Sequence, residues 1–197
     1  MATVPTPDDE SMPWTAPHPE PPADGPLVGP DRPILEAFLE WQRHTLLDIC
    51  AGLTGEQLAE RAVRPSSLSL LGLVRHMAKV ERTWFRERLD GCVLPPLYEA
   101  THGADADFDD IDPARAEEDF VRLRLECHSA DLAAAGHELD DAFTLRGQVY
   151  SLRLVYVHMI AEYARHNGHA DLLRERIDGR TGRARAADST PAPQGGS

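Results

Sequence analysis

The 197-residue sequence lacks the features that mark membrane and nucleic-acid-binding proteins. It contains no run of about 20 apolar residues that could cross a bilayer, and its acidic, proline-rich start is unlike a signal peptide. Lys79 is the only lysine, and the formal net charge is -13. Because DNA, RNA and anionic lipid surfaces all attract basic patches, we expect no nucleic-acid partner and no membrane partner. These absences favour a soluble, cytoplasmic protein.

Cysteine is scarce, and its three copies are far apart in the sequence. No C-x-x-C pair is present, and a chain of this length does not need disulfides to stabilise its core. Cys50 and Cys127 fall within helical patterns, which predicts small core residues, whereas Cys92 follows Gly91 in a loop. We expect all three thiols to be reduced, and none to act as a nucleophile.

Hydrophobic residues make up 42% of the chain and aromatic residues only 6%. That amount suits one core, and therefore a single domain. Residues 1–30 are rich in proline and acidic side chains, which predicts a flexible arm. Residues 180–197 are equally poor in apolar groups and predict a disordered tail. The ordered domain is expected to span residues 31–179.

Apolar residues recur at helical spacing in four long stretches of this domain. Thr54 and Gln57 have capping-box spacing and predict a short connecting helix, and residues 93–112 read as a long loop that could cover one end of the domain. No segment gives a convincing strand pattern. The sequence therefore predicts an all-α, antiparallel four-helix bundle with disordered termini. Its helices are expected at about residues 31–51, 69–90, 112–139 and 151–177.

Four polar residues follow one face of the last predicted helix. His158, Glu162, His166 and His169 are separated by four, four and three positions, so they project from the same side. Burying such a stripe is costly unless each group is hydrogen-bonded or bound to a cation. His76 on the second helix also lies among apolar neighbours. One histidine from one helix and Glu-x-x-x-His from another would supply three metal ligands and leave a fourth position open.

Other interpretations of these residues are equally compatible with the spacing. A single histidine such as His76 on an apolar face is usually a core residue bonded to a carbonyl, and Glu162 with His166 could form a hydrogen-bonded pair within the helix. Trp41 and His44 on the first helix could line a pocket or simply pack or face solvent. Spacing alone leaves metal binding undecided.

Two blocks of sequence carry a resemblance to a known family. SLSLLGLVRHMAKVERTWF and VHMIAEYARHNGHADLLRERIDG resemble the two metal-bearing helices of the DinB-like superfamily. The likeness is to its mycothiol-dependent maleylpyruvate isomerase branch and to a large, mostly uncharacterised sister family, and it covers about residues 31–179. The resemblance implies that His76, Glu162 and His166 bind one divalent metal. Zinc is the foremost candidate, with nickel, iron and manganese as alternatives.

The resemblance also implies roles for neighbouring residues. The commoner superfamily pattern has histidine at position 162, and Glu162 instead matches the His, Glu, His set of the isomerase type. His158 and His169 are then expected to contact the metal ligands or to face the substrate.

The activity implied is a metal-dependent thiol S-transferase or isomerase. Mycothiol would be the co-substrate and a small electrophilic metabolite the acceptor, in detoxification or secondary metabolism, with the protein as a monomer or homodimer. Two alternatives remain open: a non-catalytic, metal-stabilised binding or stress-response module, and a hydrolase that uses metal-bound water.

Overall fold

The computed structural model describes residues 13–98 and 106–182, and this part of the chain is mostly helical. α3 continues directly into a π-helical segment, Arg82–Leu89, and a 3-10 turn, Pro113–Arg115, precedes α5. The helices are α1 (Asp31–Cys50), α2 (Gly55–Ala59), α3 (Leu70–Glu81), α4 (Ala106–Asp109), α5 (Ala116–Ala135) and α6 (Leu152–Asp178).

Side-chain caps define where several helices begin. The Ser69 hydroxyl accepts from the backbone N–H of Gly72 at the start of α3, and Ser151 caps α6 in the same way. The predicted capping box of Thr54 and Gln57 is confirmed at the start of α2. Gly179 adopts a left-handed conformation, with φ of 78°, and ends α6.

The core lies where α1 packs on α6, and α3 packs on both α5 and α6. Fully burying each of its large apolar side chains contributes about 1.5–3 kcal/mol before the entropy of ordering is subtracted. No helix within the described residues is long and apolar enough to cross a bilayer. Among the most deeply buried residues are Leu39, Leu46, Leu73, Met77, Phe85, Phe120, Met159 and Tyr163.

A buried ion pair joins several helices within this core. The Arg43 guanidinium of α1 donates two hydrogen bonds of 2.8 Å to the Glu81 carboxylate of α3. The Tyr163 hydroxyl of α6 donates to the same carboxylate at 2.9 Å, and Arg43 also reaches Asp131 of α5 at 2.8 Å. Because a buried carboxylate requires such partners, this network restricts how the helices can shift relative to one another.

Two short strands correct the all-α expectation. β1 (Ala142–Leu145) and β2 (Gln148–Ser151) pair in antiparallel register, joined by the turn Arg146-Gly147. Both turn residues have positive φ, 51° and 79°. Such turns usually carry Asn-Gly or Asp-Gly, and each strand has only four residues, so no strong hairpin pattern is visible in the sequence. The described fold is mostly helical with a small two-stranded sheet.

Part of the expected N-terminal arm packs on the helices. Ala16 is buried and exchanges two backbone hydrogen bonds with the turn after α1, its N–H donating to Leu53 and its carbonyl accepting from Gly52. The Trp14 ring meets Phe120 of α5 edge-on, with centroids 5.5 Å apart. The rest of the predicted arm at residues 1–12, and the predicted tail beyond residue 182, lie outside the described residues.

Candidate metal centre

The structure brings together the three residues expected to bind a metal. Glu162 and His166 lie one turn apart on α6, and His76 faces them from α3. His166 Nε2 is 3.2 Å and His76 Nε2 is 3.8 Å from Glu162 Oε1. One ligand atom from each residue lies within 4.8 Å of the other two. These atoms are close enough together to contact a single ion.

The chemistry of the three groups also suits a cation. Burial and the neighbouring His76 lower the pKa of His166, which favours the neutral imidazole that binds metals. Burial alone would raise the pKa of Glu162, but His166 and Arg165 bring it below its ordinary value. The carboxylate is therefore ionised at neutral pH. Two imidazoles and a carboxylate form a donor set that zinc and similar ions accept.

A fourth residue, Asp107 of α4, holds the His76 ring from behind. Its Oδ2 lies 2.7 Å from His76 Nδ1, and its Oδ1 accepts from Lys79 Nζ at 2.9 Å. Burial would raise the pKa of Asp107, but these hydrogen bonds lower it to about 2. An ionised carboxylate accepts the Nδ1 proton of His76, so the Nε2 lone pair is left on the Glu162 side.

Local packing explains why α4 lies against α3. The Arg75 guanidinium donates to the backbone carbonyls of Ala106 and Asp107. Gly72 leaves room for Phe108, since a Cβ at position 72 would lie 3.0 Å from the Phe108 ring. The Phe108 ring then stacks on the His76 imidazole, with centroids 4.9 Å apart. The C-terminal part of the predicted long loop therefore covers His76.

Asp107 was not predicted from the sequence, because the loop offers several acidic residues with no periodicity. The stretch DADFDD contains four aspartates, and nothing in their spacing shows which one reaches His76. The sequence offered only a weaker indication, namely that a long loop in a small domain is often functional.

The two other histidines of the stripe lie in different surroundings. His169 Nδ1 is 3.5 Å from His166 Nδ1, so this ring borders the cluster. The His158 ring instead packs on Trp84 of the π-helical segment, with centroids 4.3 Å apart. Burial lowers the pKa of His158. Of the two, His169 contacts a residue of the cluster and His158 lies one helical turn away from Glu162.

Trp41 and His44 do not join the cluster. Both line a groove between α1 and residues 21–27, and Trp41 is 54% exposed. Trp41 and His44 therefore pack or face solvent on α1, and they do not line a pocket around the proposed metal ligands.

None of the three cysteines forms a disulfide. Burial raises the pKa of Cys127, whose Sγ lies 3.7 Å from both Glu81 Oε1 and the Tyr163 hydroxyl. A hydrogen bond to Asp90 raises the pKa of Cys92. Neither environment favours the reactive thiolate.

The protein is mostly helical, and a His, Glu, His cluster between two packed helices forms a candidate divalent-metal centre. Comparison with family models then identifies the group. The model of the mycothiol-S-transferase family matches residues 34–179, and the chain belongs to that DinB-like family. The resemblance inferred from the two sequence blocks is thereby confirmed. No curated protein and no solved structure gives a significant match.

Proposed function

We propose that this protein is a metal-dependent S-transferase that joins mycothiol, or a closely similar thiol, to a small electrophilic metabolite. Its family membership supports the thiol chemistry. The observation that carries the metal dependence is the convergence of His76, Glu162 and His166 within 4.8 Å. The antiparallel four-helix bundle typical of DinB-like proteins is the architecture proposed for the four long helices.

The residues proposed to hold the ion are His76, Glu162 and His166. Zinc is the leading candidate, and nickel, iron and manganese accept the same nitrogen and oxygen donors. A divalent cation at this position would supply Lewis-acid chemistry and lower the pKa of a bound thiol. Glu162 gives the site one negative charge that the commoner histidine would not supply.

The surrounding side chains would prepare this site in defined ways. Asp107 fixes the orientation of His76, and Phe108 covers one face of its ring. In the transfer itself the thiol loses its proton to solvent, and sulfur forms a bond to the electrophilic carbon. In a substitution, the displaced bonding pair leaves with the departing group. In an isomerisation no group departs: the thiolate adds to a conjugated carbon–carbon double bond, and the π electrons move onto the adjacent carbonyl. Their return breaks the sulfur–carbon bond and releases the thiolate.

The reacting thiol is proposed to come from outside the chain. Cys50 is buried, Cys127 packs against the core beside Glu81, and the pKa of Cys92 is raised. A cytoplasmic location belongs to the same proposal, because a thiol co-substrate must be kept reduced.

The test begins with elemental analysis of protein purified without an affinity tag. Mycothiol is then titrated by calorimetry into zinc-loaded and metal-stripped protein, and thiol consumption is followed with a panel of electrophiles. We expect one equivalent of metal, thiol binding that requires it, and faster thiol consumption by the loaded protein. Loaded protein that neither bound mycothiol nor consumed it would overturn the proposal and favour the non-catalytic alternative.

A further inference from the structure

The two histidines proposed as metal ligands each contact a further side chain through Nδ1, the ring nitrogen that is not the one near Glu162. His76 Nδ1 lies 2.7 Å from the Asp107 carboxylate. His166 Nδ1 lies 3.5 Å from Nδ1 of His169, and these two rings meet edge-on with centroids 5.5 Å apart. Within residues 13–98 and 106–182, His169 is the hydrogen-bond partner of His166 Nδ1. One proposed ligand is therefore held by a carboxylate and the other by a second imidazole.

These two kinds of partner have different consequences for the ring that they hold. An ionised carboxylate only accepts hydrogen bonds, so the contact with Asp107 keeps a proton on His76 Nδ1. A neutral imidazole nitrogen either donates or accepts, so the contact between His166 and His169 can run in either direction. Its direction depends on the other nitrogen of His166. That atom, Nε2, lies 3.2 Å from Glu162 Oε1.

In the metal-free protein, the Nε2–H group of His166 donates to Glu162. The Glu162 carboxylate is ionised and can only accept, so the proton of this hydrogen bond belongs to the ring. Burial lowers the pKa of His166, which favours the neutral ring with a single proton. Its Nδ1 atom is then an acceptor, and the Nδ1–H group of His169 donates to it.

Binding of an ion by His166 requires the opposite direction. Coordination uses the Nε2 lone pair, so the single proton of the ring has to be on Nδ1, where a ligating histidine usually donates it to a neighbouring acceptor. His169 Nδ1 is the acceptor within reach. His169 then carries its own proton on Nε2. Because this residue is only partly buried, water can supply that proton and accept a hydrogen bond from it.

We propose that His169 is a positioning residue of the metal centre: its Nδ1 accepts from His166 in the metal-bound protein and donates to His166 in the metal-free protein. One proton leaves His166 Nε2, one moves from His169 Nδ1 to His166 Nδ1, and one is taken from water by His169 Nε2. Each ring keeps one proton, so the tautomers change and the charges do not. The inference rests on the ligand set of the proposed function.

Asp107 and His169 would thus hold the two ligands in different ways. Asp107 keeps His76 in the same tautomer with or without an ion. His169 allows His166 to exchange its hydrogen bond to Glu162 for coordination while Nδ1 keeps a partner throughout. His166 is only 9% exposed, and a ring nitrogen without a partner there would disfavour the metal-bound state.

Two substitutions separate this hydrogen bond from the packing of the His169 ring. His169→Phe keeps an aromatic ring but has no nitrogen. His169→Asn places an amide near the position of Nδ1, and an amide both donates and accepts. His128→Phe makes the same change at an exposed histidine of α5 outside the cluster, and serves as the matched control. Zinc affinity is measured by competition with a chromophoric chelator, and melting temperatures report whether each variant folds.

We expect His169→Phe to lower the zinc affinity about tenfold or more, which is the usual effect of removing a contact that orients a ligand. His169→Asn should bring the affinity back to within about threefold of the parent protein, and His128→Phe should leave it unchanged. Full affinity in His169→Phe would overturn the inference. An asparagine variant as weak as the phenylalanine variant would also overturn it, because the amide would then fail to replace the nitrogen.

The parent protein tests the tautomers directly, whatever the stability of the variants. Long-range proton–nitrogen NMR correlations distinguish an imidazole protonated on Nδ1 from one protonated on Nε2. We expect the His169 proton on Nδ1 in metal-free protein and on Nε2 in zinc-loaded protein, whereas His76 should keep its proton on Nδ1 in both. The same His169 tautomer in both states would overturn the inference.

The results also distinguish this inference from the proposed function. A parent protein that bound no zinc would overturn both. Zinc binding that did not depend on position 169 would overturn the inference only. Zinc binding that depended on His169 as expected, without any transfer of mycothiol, would support the inference and count against the proposed function only.

Discussion

The Nδ1 atom of His76 lies 2.7 Å from Oδ2 of Asp107, a residue 31 positions further along the chain. This contact connects a short helix in a long loop to a proposed metal ligand on α3. Lys79 holds the other carboxylate oxygen, so the Asp107 side chain has little freedom to turn away. The His76 ring is therefore oriented by the fold itself, before any ligand binds.

Replacing Asp107 with asparagine should weaken metal binding without unfolding the protein. The amide is close to the carboxylate in shape but removes the negative charge that fixes the His76 tautomer. Loss of such a contact typically costs 10–100-fold in metal affinity. Competition with a chromophoric chelator measures the change, and the absorption bands of bound cobalt report altered ligand geometry.

Asp109→Asn provides the matched control for that experiment. Asp109 lies on the same short helix but is exposed and pairs with Arg61. Its replacement should leave metal affinity within about twofold of the parent protein. If Asp107→Asn also retained full affinity and an unchanged cobalt spectrum, the Asp107 contact would have no role in positioning His76.

Local periodicity predicted the long helices, whereas the proposed ligands were predicted by periodicity together with the resemblance to DinB-like proteins. Spacing of three and four residues places Glu162 and His166 on one face, and the apolar neighbours of His76 turn its ring toward the core. The Asp107 contact could not be predicted in this way. It depends on Arg75 and Gly72, which hold a nonperiodic loop against α3.

The hairpin and the N-terminal packing were missed for a related reason. Strands of four residues around an Arg-Gly turn fall below the length at which alternation is recognisable. Ala16 joins the fold mainly through two backbone hydrogen bonds, which leave no side-chain pattern. Contacts between distant segments with little periodicity are therefore the part of this fold that the sequence did not reveal.

The proposed ligands predict the effects of removing them. His76→Ala and His166→Ala should each abolish stoichiometric metal binding, because two remaining donors hold an ion far more weakly. Glu162→Gln should lower the affinity at least about tenfold, since it removes the anionic charge. Elemental analysis after dialysis against a mild chelator measures occupancy.

His128→Ala is the control for the ligand variants, because His128 is exposed on α5 and outside the cluster. It should retain the parent metal content. One full equivalent of metal in both histidine-to-alanine ligand variants would show that the ligands are other residues, and His169 would then be examined first.

The buried pair of Arg43 and Glu81 predicts a large effect on stability. Arg43→Met keeps much of the side-chain volume but leaves the Glu81 carboxylate in the core without its main partner. Breaking a buried pair in this way typically costs about 3–5 kcal/mol. Urea unfolding measures the loss, and Glu40→Gln, which alters an exposed partner of Arg43, should cost less than about 1 kcal/mol. Similar stability of the two variants would contradict this view of the core.

Packing of Trp14 predicts that the segment before α1 contributes to stability. Trp14→Ala removes the edge-on contact with Phe120 and should lower the free energy of unfolding by about 1–3 kcal/mol. Leu27→Ala alters a side chain that is 88% exposed and should change stability by less than about 0.5 kcal/mol. Thermal melting of both variants measures this difference. If the segment before α1 were only loosely attached, the two variants would have the same melting temperature.

The environments of the cysteines predict which thiols react in the folded protein. Burial excludes reagents from Cys50, and the raised pKa of Cys127 keeps its thiol protonated well above neutral pH. Cys92 is outside the core, but its pKa is also raised, so its reaction should accelerate as the pH increases beyond 8. Titration with DTNB at pH 8 should therefore modify one slow thiol in native protein and all three in urea. Rapid native modification of Cys127 would reveal a nucleophile within the chain, and the need for an external thiol would disappear.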